Sequence, residues 1–245
     1  MSIQNQINTF SSISLAEMNE VALMKRTDTK FVIPIAKLAP ILESVSDQYR
    51  VLEISGNRIM TYKSLYFDSP ENQFYNDHHN ARPNRTKVRI RNYVESDLFF
   101  LEIKQKNNKG ETDKSRIRIE DFETHLSANS KTFIKETTAK DHTLIATLWN
   151  GFKRITLVNI QNKERITIDF DIYYQSDEKK VLYDKLVVVE VKQRAYNRHT
   201  PIVSVLKTFR FYPYSISKYC IGMLSLYKNL KYNRFKQKLF KINNL

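Results

Sequence analysis

The sequence predicts an α+β protein built on one mostly antiparallel sheet, and three observations lead there. Three strand-like runs, "TKVRIRNY", "LFFLEIKQK" and "DKSRIRIEDF", follow one another with short connections. The second connection, "NNKGE", holds the turn residues of a hairpin. Three further runs, "ITLVNI", "RITIDFDIYYQ" and "YDKLVVVEVKQ", come later, and helical segments stand before, between and after them.

Taken in order, Ser14 and Glu17 have the spacing of a capping box, which predicts a short helix from about Leu15 to Met24. "KFVIPI" opens the first strand and "AKLAPILESV" follows as a helix. "YRVLEI" and "TYKSLYFDS" are strand-like, the latter ending in a turn at Asp68, Ser69 and Pro70, and "ENQFYNDHH" suits a short helix. After the first β-rich stretch, "SKTFIKETTAKDHTLIATLWNGF" is expected as a helical interlude. A helix over about Ile202 to Phe209 and the segment "SISKYCIGMLSLY" close the ordered part. The expected division is a helical segment over 1–22, one main domain over 23–228 and a basic, solvated tail over 229–245.

A chain of 245 residues that is 41% hydrophobic can bury a substantial core. Cys220 is the only cysteine, which excludes an internal disulfide and makes a reducing cytoplasm the expected location. The opening "MSIQNQINTFSSIS" has neither the basic nor the apolar region of a signal peptide, and no uninterrupted apolar run is long enough to suggest a transmembrane helix. The net charge of +14 points to a polyanionic partner: nucleic acid, a membrane surface or a phosphate-rich small molecule. The histidines, including His78 and His79, lack metal-site spacing, and Cys220 suits a core position.

The strand faces narrow the choice. Lys87, Arg89 and Arg91 share one side of their strand. Like charges two positions apart stand about 7 Å from each other and repel by roughly 2 kcal/mol at an effective dielectric near 20. Glu102, Lys104 and Lys106 alternate with Leu101 and Ile103, and Lys114, Arg116 and Arg118 alternate with Ser115 and Ile117. Arg165, Thr167 and Asp169 oppose Ile166 and Ile168, while Glu190, Lys192 and Arg194 oppose Val189 and Val191. Two geometries fit. One is an ordinary sheet with its charged face in water. The other is a barrel with a cationic lumen, filled by a polyanion and a carboxylate-bound divalent cation.

Five motifs add a resemblance. "LMKRTDTKFVI", "RPNRTKVRIRNY", "LEIKQKNNKGETDKSRI", "VVVEVKQ" and the Ser215–Gly222 segment are similar in order and spacing to the VTC domain. This is the polyphosphate polymerase domain of the vacuolar transporter chaperone family, within the triphosphate tunnel metalloenzymes (CYTH-like). The resemblance implies an eight-stranded antiparallel β-barrel, or tunnel, with helices packed outside it. It also implies a divalent metal, Mn²⁺ or Mg²⁺, and transfer of the γ-phosphate of ATP onto phosphate or polyphosphate. By the same carry-over Lys30, Arg89, Arg91, Lys104, Lys114, Arg165 and Lys192 bind phosphate, Glu190 binds the metal and Lys218 is catalytic. The alternation adds Arg116, also assigned to phosphate, and Lys87, Arg118 and Arg194 as face-mates.

Two departures accompany this. Related tunnel phosphatases carry an acidic ExExK on the first strand, where this chain has Arg26, Asp28 and Lys30, which disfavours a two-metal hydrolytic site. Eukaryotic polymerases place a second lysine where this chain has Ser215. The alternatives are an inorganic or nucleoside triphosphatase of the same fold, or a non-catalytic polyanion-binding module. Expected partners are ATP or another triphosphate, inorganic polyphosphate and a membrane-protein partner; nucleic acid is disfavoured.

Overall fold

Residues that alternate between apolar and charged give a strand two unlike faces, each needing its own cover. The computed structural model describes residues 2–20 and 26–245. The strands are β1 (Ser11–Ile13), β2 (Thr27–Pro34), β3 (Arg50–Leu52), β4 (Met60–Asp68), β5 (Arg85–Tyr93), β6 (Leu98–Lys106), β7 (Thr112–Ile119), β8 (Ile145–Asn159), β9 (Glu164–Gln175), β10 (Lys180–Tyr183) and β11 (Leu186–Gln193). The helices are α1 (Ile3–Asn8), α2 (Leu15–Glu20), α3 (Leu38–Glu43), α4 (Gln73–His79), α5 (Ala128–Thr138), α6 (Pro201–Thr208), α7 (Lys218–Leu226) and α8 (Lys236–Asn243).

The main path of the sheet runs β2-β11-β9-β8-β4-β5-β6-β7. Every neighbouring pair on it is antiparallel, as the α+β reading expects. The sheet curls: Lys104 on β6 feels the charges of Lys30 and Asp28 on β2 and of Glu190 on β11. Its two end strands, β2 and β7, share no ladder among the described residues, so the tunnel-like curl is not sealed by hydrogen bonds.

Three apolar layers support this sheet. On the convex side Phe31, Ile155, Ile168 and Val189 pack beneath Ile7 of α1, Leu38 and Leu42 of α3, and Ile202 and Leu206 of α6. Further along the same side Leu65, Val88, Ile90, Leu101 and Ile103 meet Ile134 of α5 and Phe74 of α4. The third layer is inside the curl. Val32, Val188, Tyr62, Tyr66 and Phe152 point to the concave side and pack against Tyr219, Cys220 and Met223 of α7. A register shift between Gly151 and Lys153, with Asp171 at φ 50°, returns Ile172 and Tyr174 to this layer. Helix α7 approaches so closely that a Cβ on Gly222 would stand 2.5 Å from the Tyr174 ring. One end of the concave face is thus filled, and the other is left to charge.

Several elements differ from the sequence reading. The expected helical interlude is helix only over Ala128–Thr138; Ile145 onward is already β8, whose partners β4 and β9 override local propensity. The segment expected as a solvated tail instead forms α8 and buries Phe235 and Ile242 in the concave layer. The N-terminal segment is tied into the domain, with β1 pairing parallel to β3. Positions 21–24 of the helix expected to reach Met24 lie outside the described residues.

Asp68 fastens α7 in place. Its carboxylate accepts the backbone N–H groups of Phe74 and Tyr75 at 2.7 and 2.8 Å, filling the role of an α4 cap, and also accepts the Tyr219 hydroxyl. Asp68→Ala leaves these buried donors unpaired, at about 1–3 kcal/mol each. A loss of about 3 kcal/mol or more in unfolding free energy is expected, measured by the urea midpoint; a loss below about 1 kcal/mol would refute the assignment.

Candidate active site

The charged half of the concave face consists of two wings that register as rows of opposed residues. On the β5–β7 wing Arg85 faces Lys106, Lys87 faces Lys104, which faces Lys114, and Arg89 faces Glu102, which faces Arg116. On the opposite wing Asp28 faces Lys192, which faces Arg165, and Lys30 faces Glu190, which faces Thr167. Between the wings, Asp169 on β9 faces Arg154 on β8.

Three carboxylates on this face are each held by two cations. Glu190 takes Lys30 at 2.6 Å and Lys192 at 2.5 Å. Glu102 takes both Arg89 Nε and Nη2, at 2.8 and 2.6 Å, and Lys114 at 2.6 Å. Asp169 takes Arg154 in a fork of 2.5 and 2.8 Å and also receives the Lys218 ammonium. A fourth, Asp28, pairs with Arg26 at 3.0 Å. Burial works against ionising Glu102, Asp169 and Glu190, yet their cations prevail and hold all three carboxyls below the usual carboxylate range.

The remaining cations have no carboxylate. Among the described residues Lys104, Arg116 and Arg165 form no ion pair, and Arg91 bonds only Ser64 Oγ at 3.2 Å. Lys87 donates to Ser217 Oγ, the N-cap of α7, at 3.2 Å. Aromatic faces support several of these charges. Tyr62 and Phe152 stack with ring centroids 5.2 Å apart, and Arg91, Arg154 and Lys218 lie 4.8 to 5.7 Å from one or both rings. Arg116 rests 4.5 Å over Phe100.

Every phosphate-binding residue expected from the sequence therefore lies on this concave face, with Glu190 and Lys218 among them. Arg118 joins it at the open edge, whereas Arg194 lies exposed beyond the end of β11. Sequence reasoning missed Arg154, because the strand was expected to begin at Ile155; the repeat of Arg-Ile-Thr at Arg154 and at Arg165 was the available signal. It also assigned no role to Asp169 and Glu102, whose partners come from other strands and from α7. Among the described residues no three His, Cys, Asp or Glu side chains converge into a metal cage. Glu190, the carboxylate that the sequence reading assigns to a metal, has Lys30 on one oxygen and Lys192 on the other. No helix of the described residues is long and apolar enough to cross a membrane.

The family model of the VTC domain matches residues 25–227. Among solved structures, a Hippeastrum protein provisionally assigned as an adenylyl cyclase, and described as having a dominant triphosphatase activity, is 12% identical. The match covers 85% of this chain and 99% of that one, with a TM-score of 0.50. A Vibrio parahaemolyticus protein, also provisionally assigned as an adenylate cyclase, is 9% identical over 81% of this chain and 98% of its own, with a TM-score of 0.48. At such identities the Hippeastrum likeness shows the fold alone. No curated protein matches the chain.

The wings carry a pH dependence. Burial outweighs Glu102 at Lys114 and lowers its ammonium to about 8. Below that pH the side chain is charged, so tripolyphosphate affinity is expected to fall as pH rises through 8. In the unfolded chain the same lysine keeps its proton to about 10.4. From this group the ligand-free protein therefore gains stability between those two values while it loses affinity. Titrating tripolyphosphate from pH 7 to 9.5 checks this. Lys192, also lowered to about 8 by burial, shares the alkaline limb, so Lys114→Met should lessen that limb without removing it, and an unchanged limb would remove Lys114 as a source.

Proposed function

Because the chain belongs to the VTC domain family, we propose that it is a phosphotransferase moving the γ-phosphate of ATP onto phosphate or polyphosphate. The observation that carries this reading is the state of the concave carboxylates. Glu102, Asp169 and Glu190 are each held by two cations, and Asp28 by Arg26, so none stands free as a base for water. A phosphate acceptor arrives already ionised and needs no base. Its oxygen attacks the γ-phosphorus, the bond to the β-phosphate oxygen breaks, and ADP leaves with that electron pair. Such a transfer asks mainly for in-line placement and neutralised charge.

The residues divide these tasks by chemistry. Arg89, Arg91, Arg116 and Arg165 present forked donors that suit phosphate oxygens, whereas Lys104, Lys114 and Lys192 supply point charges. Lys218 stands where β8, β9 and α7 meet and stabilises the charge at the reacting phosphate, its direction set by Asp169 and the Phe152 face. A divalent cation, Mn²⁺ or Mg²⁺, held by Glu190 and phosphate oxygens, would neutralise charge on the transferred group.

Incubation of the pure protein with ATP, Mn²⁺ and pyrophosphate, followed by gel separation, tests the reading. Long phosphate chains support it; free phosphate alone points to a triphosphatase, and unchanged ATP to a binding module. Glu190→Ala and Lys218→Ala are each expected to lower turnover by about 10²-fold or more. Wild-type rates in both folded variants would overturn the site assignment.

A further inference from the structure

The two wings of the concave face are charged unequally. The β5–β7 wing contributes four cations from β5, two from β6 and three from β7, against Glu102 alone. The β2–β11–β9 wing interleaves Lys30, Lys192 and Arg165 with Asp28 and Glu190. Like charges directly opposite each other on neighbouring strands destabilise a sheet. The first wing nevertheless opposes Arg85 to Lys106, Lys87 to Lys104, and Lys104 to Lys114. Of these five, only Lys114 reaches a carboxylate among the described residues.

Two buried donors at this end also lack partners. The Nε of Arg85 has none, nor does the Nε2 of His78 on α4. Burial and the nearby Lys87, Arg85, Lys104 and Lys106 drive the His78 imidazole down to about 2, so it stays neutral beside them. Arg85 and Lys106 stand at the ends of β5 and β6, beside a cleft of about 780 Å³ whose other walls, among them Phe74, Thr86, Gln105 and Thr138, lie on the outer face of the sheet. That outer cleft also carries Asp77, Glu111 and Asp113, which repel an anion from the outside of these strand ends.

We infer that Arg85, Lys87 and Lys106 form a metal-free entry track for the bare acceptor chain, distinct from the wing where metal-bearing donor phosphates sit. The assignment follows from charge. A phosphate chain without metal carries a negative charge on nearly every unit and is repelled by carboxylates. Phosphates that share a divalent cation are closer to neutral and accept carboxylate neighbours. The acceptor therefore belongs where carboxylates are scarce, and the donor belongs beside Glu190. This inference rests on the transferase reading for the word acceptor, but the binding it describes is measurable without turnover.

The test uses the full chain and the double variant Arg85→Ala/Lys106→Ala, two positions at the ends of β5 and β6. Affinity is measured for a linear polyphosphate with a metal chelator present, and for tripolyphosphate with Mn²⁺. Wild type is expected to bind the long chain in chelator. The variant should lose at least about tenfold in that affinity while tripolyphosphate with Mn²⁺ changes less than about twofold. Three results would overturn the track: chelator abolishing chain binding in wild type, the variant binding the chain like wild type, or both ligands weakening equally. If the variant pattern appears in a protein that makes no polymer from ATP, the track stands and the transferase reading falls.

Discussion

Taking an arginine or lysine out of water costs several kcal/mol unless a counter-charge goes with it. The concave face encloses both kinds of side chain and supplies three carboxylates, each between two cations. These clasps let the face fold before any ligand arrives. They also fix positions: Arg89 and Lys114 come from strands on either side of Glu102, so one carboxylate sets two side chains across three strands. The convex side offers a contrast in Glu164. It is buried with neutral donors only, Tyr49, Gln193 and Thr200, and its carboxyl is pushed up rather than down. Ionised carboxylates gather where cations need them.

The sheet can present charge inward only because apolar layers cover its convex face and α7 fills one end of the curl. Lys218, Ser217 and Tyr219 are consecutive on that helix, and each makes a different attachment: to Asp169, to Lys87 and to Asp68. Packing α7 and placing the Lys218 ammonium are therefore one event. Residues deep in the apolar layer, such as Tyr174 against Gly222, seat the helix that carries Lys218.

Much of this was legible in the alternation of residues. The two-residue period assigned Lys87, Arg89, Arg91, Lys104, Lys114, Glu190 and Lys192 to one face each, and the structure brings those faces together. Which way they point is not local information, because the same period describes a sheet with its charges in water. Glu102 is two positions from Lys104, yet its cations are Arg89 and Lys114 on neighbouring strands, a choice set by register. Arg154 escaped because β8 begins in a segment whose residues also suit a helix, and only pairing with β4 and β9 makes it a strand. Tail residues near Phe235 and Ile242 read as solvated since their basic neighbours dominate; the exposed concave layer supplies the burial that makes them fold.

In the transfer proposed for this chain, cations with and without carboxylates have different uses. Those held in clasps are preorganised, and their field is partly cancelled. Lys104, Arg116 and Arg165, without ion pairs among the described residues, have no carboxylate to cancel their field. The stacked Tyr62 and Phe152 rings add a third arrangement, in which Arg91 rests on a neutral face that attracts a cation without supplying a counter-charge. An aromatic face thus orients a cation while sparing most of its attraction for an anion. Preorganised charge of this kind needs no rearrangement when negative charge moves along the phosphate chain. Placing the rings at the junction of β4, β8 and α7 puts the uncancelled field of Arg91 beside the clasp of Arg154, Asp169 and Lys218, all three cations lying over the Phe152 ring.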